Sequence, residues 1–171
     1  MFEREKLLGI SRRPIALQSR AGRPIRNCVE LAATEQQVRV YEEVIKPKHP
    51  RWQNRKGACG VYNCFGLVWA CRRTAIEGPG EIETIRHDDG YRQIAQEDPE
   101  IGDVAVYRDP SGEIQHVARV AKVEHRAGYR APLLLSKWGP WGGESFHEPF
   151  DHAVSNLPKA PFIEYWTDRP Q

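Results

Sequence analysis

Cys64 and His116 are the two side chains whose types and settings could perform covalent chemistry. Cys64 sits in Tyr62-Asn63-Cys64-Phe65-Gly66-Leu67-Val68-Trp69-Ala70-Cys71. Asn63 is a preferred helix cap, so Cys64 would open an apolar helix. Unpaired N–H groups at such a position stabilise a thiolate and pull its pKa from about 8.5 toward about 3.5 to 7.5. His116 lies in Ile114-Gln115-His116-Val117-Ala118, where strand alternation puts its ring on the face of Ile114, Ala118 and Val120. The Cys64 helix is expected to cover that face. A thiol and an imidazole so placed perform nucleophilic acyl chemistry. The plainer alternatives stand beside it: Cys64 as a small core residue next to Leu67, Val68 and Cys71, and His116 as a satisfied core histidine. The two residues are 52 positions apart, so only the fold can join them.

The elements that must position this pair can be read from periodicity. Residues 1–27 carry scattered arginines, Pro14, Gly22 and Pro24, and read as an extended arm or covering layer. Val38, Val40, Tyr41, Val44 and Ile45 are spaced for a helix over residues 29–46, which Pro47 and Pro50 stop. A Lys/Arg/Gly loop at 49–60 leads to the cap at Asn63 and a helix over 64–74. Gly78-Pro79-Gly80 breaks that helix, and a polar stretch runs on through Asp98-Pro99-Glu100. Strands then follow at Val104–Tyr107, 114–123, 133–138 and 162–166, with a hairpin turn at Asp109-Pro110-Ser111-Gly112. Helices first and an antiparallel meander after them make an α+β layout. Residues 1–48 read as a basic arm and helix, and 49–171 as the domain proper.

Asn63-Cys64-Phe65-Gly66-Leu67-Val68, Gly102-Asp103-Val104-Ala105-Val106-Tyr107 and His116-Val117-Ala118-Arg119-Val120 together resemble, in order and spacing, the NlpC-like family of papain-fold cysteine peptidases and amidases. The resemblance covers residues 50–140. It implies a papain-like fold, Cys64 as nucleophile, His116 as general base and Ser136, one strand later, as the polar group that orients the histidine. It also implies amide hydrolysis through a thioester, with peptide or peptidoglycan stem-peptide substrates and no metal or organic cofactor. This chain departs from the family pattern at Asn63 and Phe65, which flank the nucleophile and are expected to shape a different substrate pocket. It departs again at Ser136, where the family has His, Asn or Gln; Lys137, Glu144 or His147 could serve instead. The segment Lys137-Trp138-Gly139-Pro140-Trp141-Gly142-Gly143-Glu144-Ser145-Phe146-His147 reads as a substrate-binding rim or, equally, as a glycine-bent strand end with tryptophans in the core.

Composition narrows the remaining classes. The 25 basic and 23 acidic residues leave a net charge of +2, which does not mark a nucleic-acid binder. Residues 1–26 hold seven of the basic residues and two of the acidic ones, so the arm is basic and the body slightly acidic. The arm could dock a protein partner. The run Leu7-Leu8-Gly9-Ile10 is too short for a secretory signal, and no stretch is long enough to span a membrane, so the expectation is a cytoplasmic protein, with export by a non-Sec route open to it. Cys28, Cys59, Cys64 and Cys71 then read as reduced thiols. The spacing of Cys59, Cys64 and Cys71 fits no standard zinc hook, and Gly57-Ala58-Cys59-Gly60 lacks the residues of a phosphate loop.

Overall fold

The computed structural model describes residues 14–28, 33–126, 129–152, 157 and 161–170. Its elements in chain order are β1 (Asn27–Cys28), α1 (Glu35–Arg39), β2 (Gln53–Lys56), α2 (Cys64–Trp69), β3 (Ala75–Ile76), α3 (Pro79–Asp88), β4 (Arg92–Ile94), β5 (Val104–Arg108), β6 (Ile114–Arg126), β7 (Tyr129–Lys137), β8 (Glu144–His147) and β9 (Phe162–Thr167). Seven strands form one antiparallel sheet in the order β2-β8-β7-β6-β5-β9-β4, and β1 pairs with β3 beside it. The fold is therefore α+β, with few and short helices.

Buried apolar side chains fill both faces of the sheet. On one, α2 and α3 contribute Cys64, Phe65, Val68, Ile82 and Ile85 to a cluster with Val104, Val106, Ile114, Val117 and Trp166. On the other, Ala105, Tyr107, Ala118, Val120, Leu134, Ile163 and Tyr165 pack together. Strand β6 is bulged twice, because Gln115 is extra against β5 and Ala121 is extra against β7. A bulge inserts one residue and resets the side-chain alternation of the strand. This is why Ile114 and Val117 share a face, and why Ile114 does not stay with Ala118 and Val120.

Local chemistry accounts for the helix boundaries, several of which differ from the sequence expectation. The helix expected over 29–46 begins at Glu35, because Thr34 caps it reciprocally with Gln37; residues 29–32 lie outside the described residues. It continues as a π-helical run, Val40–Ile45, and ends in a turn of 3-10 helix at Lys46–Lys48 that contains Pro47. The helix expected over 64–74 ends at Trp69, since Cys71 and Arg72 take left-handed φ values of 49° and 65°. Gly78-Pro79-Gly80 does not lead into a polar linker. Pro79 is the first residue of α3, where a missing N–H costs nothing, and β4 follows.

Residues 14–28 lie over α3 and the adjoining sheet edge. Ile25 enters the core, and Arg23 pairs with Asp88, Arg26 with Glu81, and Arg20 with Asp168. Arg20 also donates from its backbone N–H to Asp89. The three described arginines of the arm thus each meet an acidic partner on the body.

Gly66 is required by a close approach. A Cβ there would lie 1.9 Å from the carbonyl oxygen of Thr74, whereas a Cβ on Gly80 in α3 would meet nothing within 4 Å. Gly66→Ala should lower the unfolding free energy by about 3 kcal/mol, at the upper end of overpacking costs, and Gly80→Ala should raise it by about 0.5 kcal/mol. Urea unfolding of the two variants checks both signs.

Candidate active site

Asn63 caps α2 with its side-chain oxygen, which accepts from the N–H of Gly66 at 2.9 Å and of Ile76 at 3.2 Å; its amide donates to the carbonyl of Ile76 at 2.9 Å. The side chain expected to line a pocket is spent on holding α2 against β3. Phe65, the other flanking residue, is buried and packs in the core cluster with Val68 and Val104.

The Cys64 thiol is buried. Its polar neighbours are the backbone N–H groups of Val117, Phe65 and Cys64 itself, with the Lys137 ammonium acting from farther away. Burial outweighs all of these and pushes the thiol up to about 11, opposite in direction to the expectation from a helix start. A six-residue helix has little dipole to set against complete desolvation.

His116 does not point into the cluster that holds Cys64. The bulge at Gln115 leaves Ile114 and Val117 to face α2, and the imidazole lies on the other side, its centroid 5.4 Å from that of Tyr107. No hydrogen bond joins Cys64 to His116. The two residues approach through the backbone, because the thiol sits beside the N–H of Val117, the residue that follows His116.

The imidazole of His116 is held by Ser136 instead. His116 Nε2 lies 2.9 Å from Ser136 Oγ, and Ser136 Oγ lies 2.7 Å from His147 Nε2. His147 Nδ1 is 2.7 Å from the carbonyl oxygen of Glu148. A carbonyl only accepts, so Nδ1 of His147 carries the proton and its Nε2 is the acceptor for the hydroxyl of Ser136. The Ser136 oxygen is then free to accept from His116 Nε2–H. His116 is left with Nδ1 as its basic nitrogen. Burial, aided by the neighbouring His147 and His152, lowers His116 to about 3, and burial lowers His147 to about 4. Both rings are neutral at neutral pH, as the chain of donors and acceptors requires.

Trp138 lies flat on His116, with ring centroids 5.2 Å apart and planes 10° apart. Trp52 stacks on Trp138 at 4.1 Å and His49 on Trp52 at 4.0 Å, so four rings form one column ending at His116. The Trp52 Nε1–H donates to the carbonyl of Asp151 and fixes that ring in turn.

Lys137 and Glu144 face the opposite side from Ser136 and His147. Lys137 Nζ is completely buried and donates to the carbonyls of Gly139, Pro140 and Gly142, folding the loop that presents Trp138. Glu144 accepts from Tyr62, Arg55 and Arg72. Burial works against its charge, but Arg72, Tyr62 and Arg55 prevail and hold it below the ordinary carboxylate range.

Ser136, His147 and Trp138 are therefore assembled around His116, while Lys137, Glu144, Asn63 and Phe65 serve the surrounding framework. Among the described residues, no group of three or more His, Cys, Asp or Glu side chains could hold a metal ion, and no helix is long and apolar enough to cross a membrane. His49, Trp52 and Tyr107 escaped the sequence reading. Tyr107 carries a signal, being paired with His116 across the hairpin; His49 and Trp52 lie in an irregular basic loop without one. Comparison with known proteins adds no neighbour: no family model, no curated protein and no solved structure matches this chain.

Neutral buried histidines make stability pH-dependent. The unfolded chain takes up protons below about pH 6.5, which the folded chain refuses until about 4 at His147 and about 3 at His116. Folding stability is therefore full above about pH 6.5 and falls as pH drops, by about 1.4 kcal/mol per pH unit for each histidine. Urea unfolding across this range should show that loss, and His147→Gln should remove about half of the histidine contribution; an unchanged slope in the variant would contradict the neutral assignment.

Proposed function

We propose that this chain is a cysteine amidase or peptidase of papain-like type, as its resemblance to the NlpC-like family implies. The observation that carries the proposal is the polarity of the chain from Glu148 through His147 and Ser136 to His116. It secures Nε2 of the imidazole and leaves Nδ1 as the proton acceptor. Ser136 thereby takes the orienting role that the resemblance assigns to it, with His147 behind it.

In this reading, the resting pair is a neutral thiol and a neutral imidazole. The thiol and the imidazole lie on opposite sides of β6, so the step needs a displacement of β6 that brings Nδ1 within reach of the sulfur. His116 Nδ1 then takes the thiol proton as the sulfur attacks the amide carbonyl, and no isolated thiolate forms in a desolvated site. The oxyanion is met by backbone N–H groups around Cys64 and Phe65. Nδ1–H then protonates the departing amine, leaving an acyl thioester. Water, giving its proton to Nδ1, attacks that thioester and releases the acid and the free thiol. Peptidoglycan stem peptides are the substrate class we assign first, with a cytosolic peptide, isopeptide or acyl conjugate as the alternative.

The test is alkylation of Cys64 by iodoacetamide at neutral pH, followed by peptide mass spectrometry, in wild type and in His116→Gln. Gln can keep the hydrogen bond to Ser136 but cannot act as the base. Cys64 labelling should slow by about 100-fold, the lower range of general-base effects, while the exposed Cys71 reacts alike in both. Equal Cys64 rates would replace the hydrolase with a binding module of the same fold. Release of peptide fragments from purified sacculi, lost in Cys64→Ala, checks the substrate class.

A further inference from the structure

A cavity of about 270 Å³ opens beside the turn of the β6–β7 hairpin. Pro132, Leu133, Ile163 and Tyr165 supply an apolar floor, and the exposed rings of Tyr129 and Phe150 flank it. Such a concave apolar surface with a few polar groups is the general form of a small-molecule site.

The charges around it do not cancel. Arg126 is paired with both Glu124 and Glu148, and Glu124 also takes Lys122. Gln96 donates its amide to the carbonyl of Ile163. That leaves Arg130, which makes no ion pair among the described residues. Its Nη2 donates to the carbonyl of Pro99 at 2.9 Å, and its Nε is buried with no hydrogen-bond partner. A guanidinium without an ion pair at the edge of an apolar pocket is matched by a carboxylate, which can accept from Nη1, the N–H group taken neither by the Pro99 carbonyl nor by burial.

We propose that this pocket binds a small amphiphilic carboxylate, its apolar body on Leu133, Ile163 and Tyr165 and its anionic group on Arg130. Neither Cys64 nor His116 lines the pocket, although Glu148, whose carbonyl ends the chain from His116, does; occupancy of the pocket does not depend on the hydrolase reading.

Amide chemical-shift titrations of the full chain by NMR test it with two acids, octanoate for an acyl body and phenylacetate for an aryl body, each against its alcohol, octanol or phenethyl alcohol. At least one acid should perturb β7 and β9 around the pocket and bind more tightly than its alcohol, and which acid does so identifies the source. Arg130→Gln, which can keep the bond to Pro99, should weaken the acid by about tenfold and leave the alcohol unchanged. Leu133→Trp should fill the cavity and abolish both. The proposal is overturned if neither acid perturbs these residues, if acid and alcohol bind equally to wild type, or if Arg130→Gln leaves the preference intact in a protein of unaltered melting temperature.

Discussion

Two consecutive residues at the end of β7, Ser136 and Lys137, are completely buried, and a buried polar group without a partner costs more than a formed hydrogen bond returns. Strand geometry sends them to opposite faces. Much of the site follows from satisfying both. On one face, Ser136 is satisfied by His116 and His147 at once, and in bonding both it links their tautomers. On the other, the Lys137 ammonium has three protons to place and finds three loop carbonyls. That loop has little freedom left: a Cβ at Gly142 would lie 1.9 Å from the carbonyl oxygen of Trp138. The result is that Trp138 lies on the ring that Ser136 orients.

The same accounting explains the charged residues. Glu144, opposite Lys137 in the β7–β8 register, is fully buried yet remains a carboxylate because two guanidiniums and the hydroxyl of Tyr62 converge on it. Asp103, at the Gly-Asp step before β5, is tied to Arg169 and to the N–H of Glu100, which anchors the strand start to the end of the chain. Arg119, on the strand of His116, donates to the carbonyl of Val68 at 2.8 Å and so meets an unpaired acceptor at the end of α2. Buried or half-buried charges here mainly hold backbone in place.

Strands β5, β6, β7 and β9 and the Asp109-Pro110-Ser111-Gly112 turn were legible because alternation and turn chemistry are local, whereas β8, which begins within the glycine- and tryptophan-rich segment, was not. The Asp109 side chain accepts from the N–H groups of Ser111 and Glu113, as an aspartate at that position does. The capping role of Asn63 was legible for the same reason. The short ends of α1 and α2 were not, because apolar spacing continues past the residues where Tyr41 enters a π-helical turn and Cys71 turns left-handed. Helix α3 was hidden by Gly78-Pro79-Gly80, whose breaker composition also suits a helix start.

The residue types alone determined that a thiol would stand at a helix start, that a histidine would lie in the second strand of a hairpin, and that Ser136 would lie on the strand after it. They did so through caps, alternation and turns, which act over a few residues. Only the tertiary structure decided which face His116 occupies, since one extra residue at Gln115 resets the alternation. It also decided the direction in which the Cys64 thiol shifts, because desolvation is a property of everything packed around a group, and the column of His49, Trp52, Trp138 and His116, whose members come from separate parts of the chain.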